Sequence, residues 1–262
     1  MRGTARRIAR AAGVALLGAL ALAPGARGAP AERVSFETED GFRLVADWTP
    51  GPASDAPLAI LLHQFNADRR SWDPLVPVLA QGGFAVLALD QRGQGESKER
   101  TRPPGAAAFD VRALAQREGQ PAVGPVARAG VKDVEAAVAF AKARGAATDR
   151  ISLIGSSYGC TVALLASARV PGVRGLVLLS PGTQYFGVDV VPTAMRFRGP
   201  VAIYAAEDDA AAARSARALA GARGTPAEAT VLPAGGHGVA MFAADPTLVP
   251  RVARTALEAV RR

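Results

Sequence analysis

Cysteine, histidine and lysine are all scarce in this 262-residue chain. Cys160 is the only cysteine, so no internal disulfide can form, and no lipid-attachment cysteine lies near the N-terminus. His63 and His237 are the only histidines, and with a single cysteine they show no metal-ligand spacing. No metal and no other cofactor is expected. Lys98, Lys132 and Lys142 are the only lysines, and no arginine stripe interleaved with aromatics is present, which argues against nucleic-acid binding. Aromatic residues make up only 5% of the chain.

What is present begins with an arginine-rich start. Arg2, Arg6, Arg7 and Arg10 precede an apolar run over residues 11–23, which Pro24-Gly25 breaks before the small residues around Arg27. This is the pattern of a secretory signal peptide covering residues 1–28, with export to the periplasm or beyond as the expectation. The run is too short to predict a membrane span, so no stable membrane association is expected after cleavage; an uncleaved N-terminal anchor is the alternative. Five arginines in residues 1–28 account for most of the formal charge of +8, leaving the remainder near +3. Residues 29–262 are long enough for one sizeable domain.

That domain opens with alternation of polar and apolar residues over 33–38 and again over 42–48, separated by Glu39-Asp40-Gly41. The pattern predicts an antiparallel hairpin. Afterwards the apolar runs become continuous, at 58–62, 84–89, 151–154, 175–179 and 201–205, as strands buried on both faces require. Helical patterns lie between them: a helix from Ser71 to Gln81 with Ser71 as its cap, and helices over 131–143, 210–222 and 247–262. Residues 229–232 read as a last short strand. Residues 99–130, rich in Pro, Gly, Ala and Arg, give no clear periodicity. Strands alternating with helices predict a mainly parallel, doubly wound sheet with an antiparallel start. In such sheets the chemistry sits at the carboxyl ends of the strands.

One strand end carries Gly155-Ser156-Ser157-Tyr158-Gly159, a Gly-x-Ser-x-Gly turn between the run at 151–154 and a helix-like segment from Cys160. In that context the pattern is a nucleophile elbow, which exposes a serine hydroxyl at a helix N-terminus. Centring it on Ser156 would need glycines at Ile154 and Tyr158. Serine needs a base that titrates near neutral pH, hence histidine. His237 lies late, in the glycine-rich Gly235-Gly236-His237-Gly238, and Glu207-Asp208-Asp209 ends another strand. Serine, acid and histidine follow one another in the order of the α/β-hydrolase triad.

With Asp90-x-Arg92-Gly93-x-Gly95-x-Ser97 added, the chain resembles the α/β-hydrolases, and is similar to their compact dienelactone-hydrolase-like and esterase-like members, from Val34 onward. The resemblance implies Ser157 as nucleophile, His237 as base and Asp209 as acid, by its spacing from Ala206, with Asp208 as the alternative. Either aspartate could instead cap the following helix. The backbone N–H groups of Tyr158 and Phe65 would form the oxyanion hole. Gln64 stands where a glycine is usual, so Gln64 is the alternative donor. His63 corresponds to a structural histidine. Dienelactone hydrolases usually employ cysteine, and Ser157 departs from that pattern.

Tyr185 and Phe186 could line an acyl pocket or pack in the core; Cys160 reads as a small buried packer and Arg92 as an anchor for its loop. Residues 180–200 are too few for a helical cap, which points to small acyl substrates such as short-chain esters. A peptidase, thioesterase or acyltransferase would use the same acyl-enzyme step, and a non-catalytic binding protein on this fold is the other class. The oligomeric state is not readable from these residues.

Overall fold

The computed structural model describes residues 31–222 and 227–261; the expected signal peptide, residues 1–28, lies outside them. The two alternating segments form β1 (Glu32–Glu37) and β2 (Phe42–Thr49), paired antiparallel with Val34 opposite Ala46 and Phe36 opposite Leu44. Gly41 turns the chain between them at φ +80°.

The chain continues through β3 (Pro57–Leu62), α1 (Val76–Gln81), β4 (Ala85–Leu89), β5 (Glu99–Arg100), α2 (Val111–Glu118), α3 (Val123–Ala129) and α4 (Val131–Ala143). The elbow follows on β6 (Ala147–Ser156) and α5 (Tyr158–Ser167). Then come β7 (Val173–Leu179), α6 (Val191–Arg196), β8 (Val201–Ala206), α7 (Ala210–Ala222), β9 (Ala227–Leu232), α8 (Met241–Ala244) and α9 (Leu248–Arg261). The described strands form one sheet in the order β1-β2-β4-β3-β6-β7-β8-β9, with β5 against β2. From β4 to β9 every neighbouring pair is parallel.

Strand geometry explains why these runs are apolar throughout. Successive side chains leave opposite faces of a strand, so Leu58, Ile60 and Leu62 of β3 enter one core while Ala59 and Leu61 enter the other. The first core lies under α4, α5 and α7; the second lies under α1, α8 and α9. Both faces are covered, so a polar residue in β3, β4 or β7 would have to be buried.

Two segments differ from the sequence expectation. The helix expected from Ser71 is a 3₁₀ turn, Arg69–Trp72, followed by the shorter α1. Pro74 and Pro77 lack the N–H groups a continuous helix would use. The cap is Asp68, which accepts the Arg70 N–H at 2.8 Å, rather than Ser71. Residues 99–130 are more regular than their composition suggested, holding β5, α2 and α3. Asp110 starts α2 by accepting the N–H groups of Arg112 (2.9 Å) and Ala113 (3.0 Å). The connection from β7 to β8 contains only a 3₁₀ turn, Tyr185–Gly187, and the six-residue α6, so no large cap covers the sheet.

Buried ion pairs fix the loop after β4. Arg92 donates from Nε to Asp133 (2.7 Å) and from Nη1 to Asp40 (2.7 Å), tying the loop to α4 and to the β1–β2 turn. This is the anchoring expected of Arg92. Arg69 similarly reaches Asp90 and Asp47.

Candidate active site

The elbow geometry follows from its two glycines. Ser157 sits at φ +49° and ψ −110°, outside the regions an L-residue normally occupies. Such strain costs on the order of 1–3 kcal/mol and persists only where the surroundings impose it. A β-carbon at Gly159 would lie 2.0 Å from the Leu62 carbonyl oxygen, and one at Gly155 would lie 2.5 Å from that of Gly159. Only glycine therefore lets α5 approach β3 and β6 this closely. The Ser157 N–H donates to the Leu179 carbonyl at 2.8 Å, which holds the turn against β7. Ser157 is 8% exposed. Cys160 is fully buried beneath the elbow, its thiol donating to the Gly155 carbonyl at 3.2 Å and its pKa raised by burial.

His237 and Asp209 are in contact. The Nδ1–H of His237 donates to Oδ2 of Asp209 at 2.5 Å, with the histidine side chain 41% exposed and the aspartate 16%. Because a carboxylate only accepts, this bond puts a proton on Nδ1 and leaves Nε2 outside it. Asp208 is turned elsewhere: its carboxylate accepts the N–H groups of Gly235 and Gly236 at 3.0–3.2 Å, which lowers its pKa. The adjacent aspartates thus divide the work, one holding the loop and the other the ring. Asp209 also accepts from Ala212 N–H at 3.4 Å, so it closes the first turn of α7 as well.

The histidine loop is seated on the elbow. Gly238 has φ +64°, and a β-carbon there would lie 2.2 Å from Oε1 of Gln64 and 2.4 Å from Oγ of Ser156. Its N–H donates to Oγ of Ser180 at 2.8 Å. Ser180 is a site residue that sequence reasoning missed; it sits at φ +50°, and its partner lies fifty-eight residues away. Ser156 in turn donates to Oε1 of Gln64 at 3.1 Å. The Gln64 side chain is therefore a spacer between the elbow and the histidine loop.

The turn after β3 is held from three sides. His63 is fully buried; its Nδ1–H donates to the Gln64 carbonyl at 2.7 Å while its Nε2 accepts the Gln91 N–H at 3.2 Å. Burial lowers its pKa and keeps the ring neutral. The Gln64 carbonyl also accepts from Ala67 N–H at 3.2 Å. In a trans peptide the N–H points opposite to the carbonyl, so the Phe65 N–H is directed away from His63. Gln94 accepts the Asn66 N–H at 2.9 Å, supporting Asn66 at φ +62°. Tyr158 is the first residue of α5, so its N–H has no intrahelical acceptor. Tyr185 lies on the connection after β7, its hydroxyl donating to the Ser180 carbonyl at 3.4 Å. Burial raises its pKa, so it stays protonated.

A strained serine at a strand–helix elbow, a hydrogen-bonded histidine–aspartate pair on the loops after β8 and β9, and a central parallel sheet define one class of protein. Residues 57–195 match the family model for the alpha/beta hydrolase fold, and the chain belongs to that family. Among curated proteins it is similar to epoxide hydrolase A of Mycobacterium tuberculosis, 40% identical over 87 residues. That match takes in 33% of this chain and only 25% of the relative's length. Among solved structures it is similar to an esterase of Pyrococcus furiosus, with a TM-score of 0.68, 18% identity, and coverage of 88% of this chain and 91% of the other. A dienelactone hydrolase from Anabaena variabilis superposes with a TM-score of 0.63 at 15% identity, covering 88% of this chain and 97% of the other.

Proposed function

We propose that the protein is a serine hydrolase that cleaves esters of small acyl groups through an acyl-enzyme. The observation that carries this reading is the 2.5 Å bond from His237 to Asp209, on a loop packed against the elbow that presents Ser157.

In the proposed mechanism Nε2 of His237 removes the Ser157 proton as Oγ attacks the acyl carbon. Asp209 keeps the proton on Nδ1 and stabilises the imidazolium. The tetrahedral oxyanion accepts from the N–H groups of Tyr158 and Phe65; the His63 bond to the Gln64 carbonyl favours Phe65 over Gln64 as the second donor. His237 then protonates the leaving alcohol, and a water activated by the same nitrogen hydrolyses the acyl-serine. No cofactor enters these steps.

The nucleophile also separates this reading from epoxide hydrolysis, the activity in the name of the curated relative. A serine that opened an epoxide would be left as an ether, which has no carbonyl for water to attack. An acyl-serine has one, so turnover through Ser157 calls for an acyl substrate.

A series of 4-nitrophenyl esters from acetate to palmitate tests the proposal. Turnover of the short esters that is lost in Ser157→Ala supports it; preference for the long chains, or equal turnover by the variant, contradicts it. We also propose export directed by residues 1–28. Accumulation of the full-length precursor in the cytoplasm, with none processed, would contradict that part.

A further inference from the structure

We propose that the acyl group taken by this site is aromatic: an aryl or arylalkyl ester whose ring lies against Phe65, Tyr185 and Phe186. The inference rests on the reading of Ser157 as the nucleophile.

The chain is poor in aromatics, yet four of them meet beside the elbow. The Phe65 and Phe186 rings lie 5.2 Å apart at 47°, and Tyr158 meets Phe186 edge-on at 5.5 Å and 75°. Phe65 to Tyr158 is 6.1 Å and Tyr185 to Phe186 is 6.3 Å. The Tyr158 ring is fully buried, whereas Phe65, Tyr185 and Phe186 keep part of their surface open. Phe65 and Tyr158 also own the two proposed oxyanion donors, and Tyr185 donates to the carbonyl of Ser180, whose hydroxyl accepts from the histidine loop. Through Tyr158, the residue after Ser157, the partly open rings therefore border the place where the acyl carbon would be held. Tilted and edge-on contacts are the arrangement in which one more planar ring is accommodated best.

Phe186 packs against the core and still keeps part of its surface open. Its backbone is left-handed, at φ +54° and ψ +30°, a conformation that glycine or asparagine adopts far more readily than phenylalanine. Its neighbours hold it in place. A β-carbon at Gly182 would lie 2.5 Å from the Tyr185 ring, and one at Gly124 of α3 would lie 2.5 Å from the Phe186 carbonyl oxygen. Arg128 of α3 donates to the Gly187 carbonyl at 3.4 Å. The ring cluster is thus ordered before substrate arrives, which spares the cost of ordering it on binding.

The test compares kcat/KM for 4-nitrophenyl 3-phenylpropanoate and 4-nitrophenyl hexanoate, which share a leaving group and differ in the acyl end. The expected ratio is about tenfold in favour of the aryl ester, the scale of a good aromatic contact. Phe186→Leu and Phe65→Leu should each reduce that ratio about threefold or more, and a ratio does not depend on how much of a variant folds. Turnover of both esters with no aryl preference, or an unchanged ratio in both variants, overturns the aromatic subsite and leaves the hydrolase reading standing. Turnover of neither ester by wild type overturns both.

Discussion

Asp208 and Asp209 are neighbours in sequence and face different partners: Asp209 accepts from His237 Nδ1 at 2.5 Å, while Asp208 accepts the backbone N–H groups of Gly235 and Gly236 at 3.0–3.2 Å. The division follows from β8 ending at Ala206, after which successive side chains diverge. It predicts unequal consequences. Asp209→Asn should lower kcat/KM by about 10³-fold or more, because the ring loses the acceptor that fixes its tautomer. Asp208→Asn should stay within about tenfold of wild type, since an exposed carboxylate held by backbone donors is replaced by an amide that can still accept. Steady-state kinetics of the two variants check this, and the reverse ranking would contradict it.

His63 supports the turn after β3 from within the core. His63→Ala should lower kcat about tenfold or more while moving KM less than about threefold, because the Gln64–Phe65 peptide loses its restraint and an oxyanion donor acts mainly in the transition state. A rise in KM at constant kcat would instead assign His63 to substrate binding.

The same residue gives a pH dependence. Burial lowers its pKa in the folded chain, so below about 6.5 the unfolded chain binds a proton that the folded one resists. The contribution is full above that pH and is lost as pH falls through it. Urea unfolding of wild type between pH 7.5 and 5.5 should show a loss of stability that is smaller in His63→Asn, which has no titrating ring. Equal slopes in the two proteins would contradict the neutral, buried assignment.

The elbow glycines are steric requirements. Gly159→Ala places a β-carbon 2.0 Å from the Leu62 carbonyl oxygen, where backbone cannot yield cheaply. Overpacking of this kind costs about 1–3 kcal/mol or more, and thermal unfolding should show a lower Tm. Gly221→Ala, in open space on α7, should leave Tm unchanged or slightly raised.

Asp133 is fully buried, and burial outweighs its Arg92 partner, raising its pKa to about 6. An acid held protonated by the fold contributes stability below about pH 3.8 that is lost as pH rises toward 6. Relative to Asp133→Asn, wild type should lose stability over that interval, as urea unfolding at its two ends would show. Removing only the arginine, as Arg92→Met, takes away the groups that hold the Asp133 pKa down, so the buried acid should take up a proton near neutral pH and the loop after β4 should lose its anchor, read as a lower Tm.

The strands were legible because burial on both faces forces uninterrupted apolar runs, as in Leu58–Leu62. The helices of residues 99–130 were not: α2 and α3 are seven or eight residues long and are stopped by Gly119 and Gly130, too short to show a period. The one local cue was Asp110 as a cap. Ser71 misled for a related reason, since Pro74 and Pro77 decide where α1 can start. In the site, residue types and order pointed to Ser157, Asp209 and His237. Spacing could not assign Asp208, because its partners are backbone N–H groups twenty-seven and twenty-eight residues away. Ser180 and Gln94 were invisible for the same reason; each acts on the backbone of a distant loop.

In the proposed mechanism Ser157 is a nucleophile activated by His237. Labelling by a fluorophosphonate probe tests it most directly, with wild type, Ser157→Ala and His237→Gln side by side. Wild type should carry one covalent adduct, mapped to Ser157 by peptide mass, Ser157→Ala none, and His237→Gln should label at least about 10²-fold more slowly. An unlabelled wild type, or an adduct on any other residue, would contradict it.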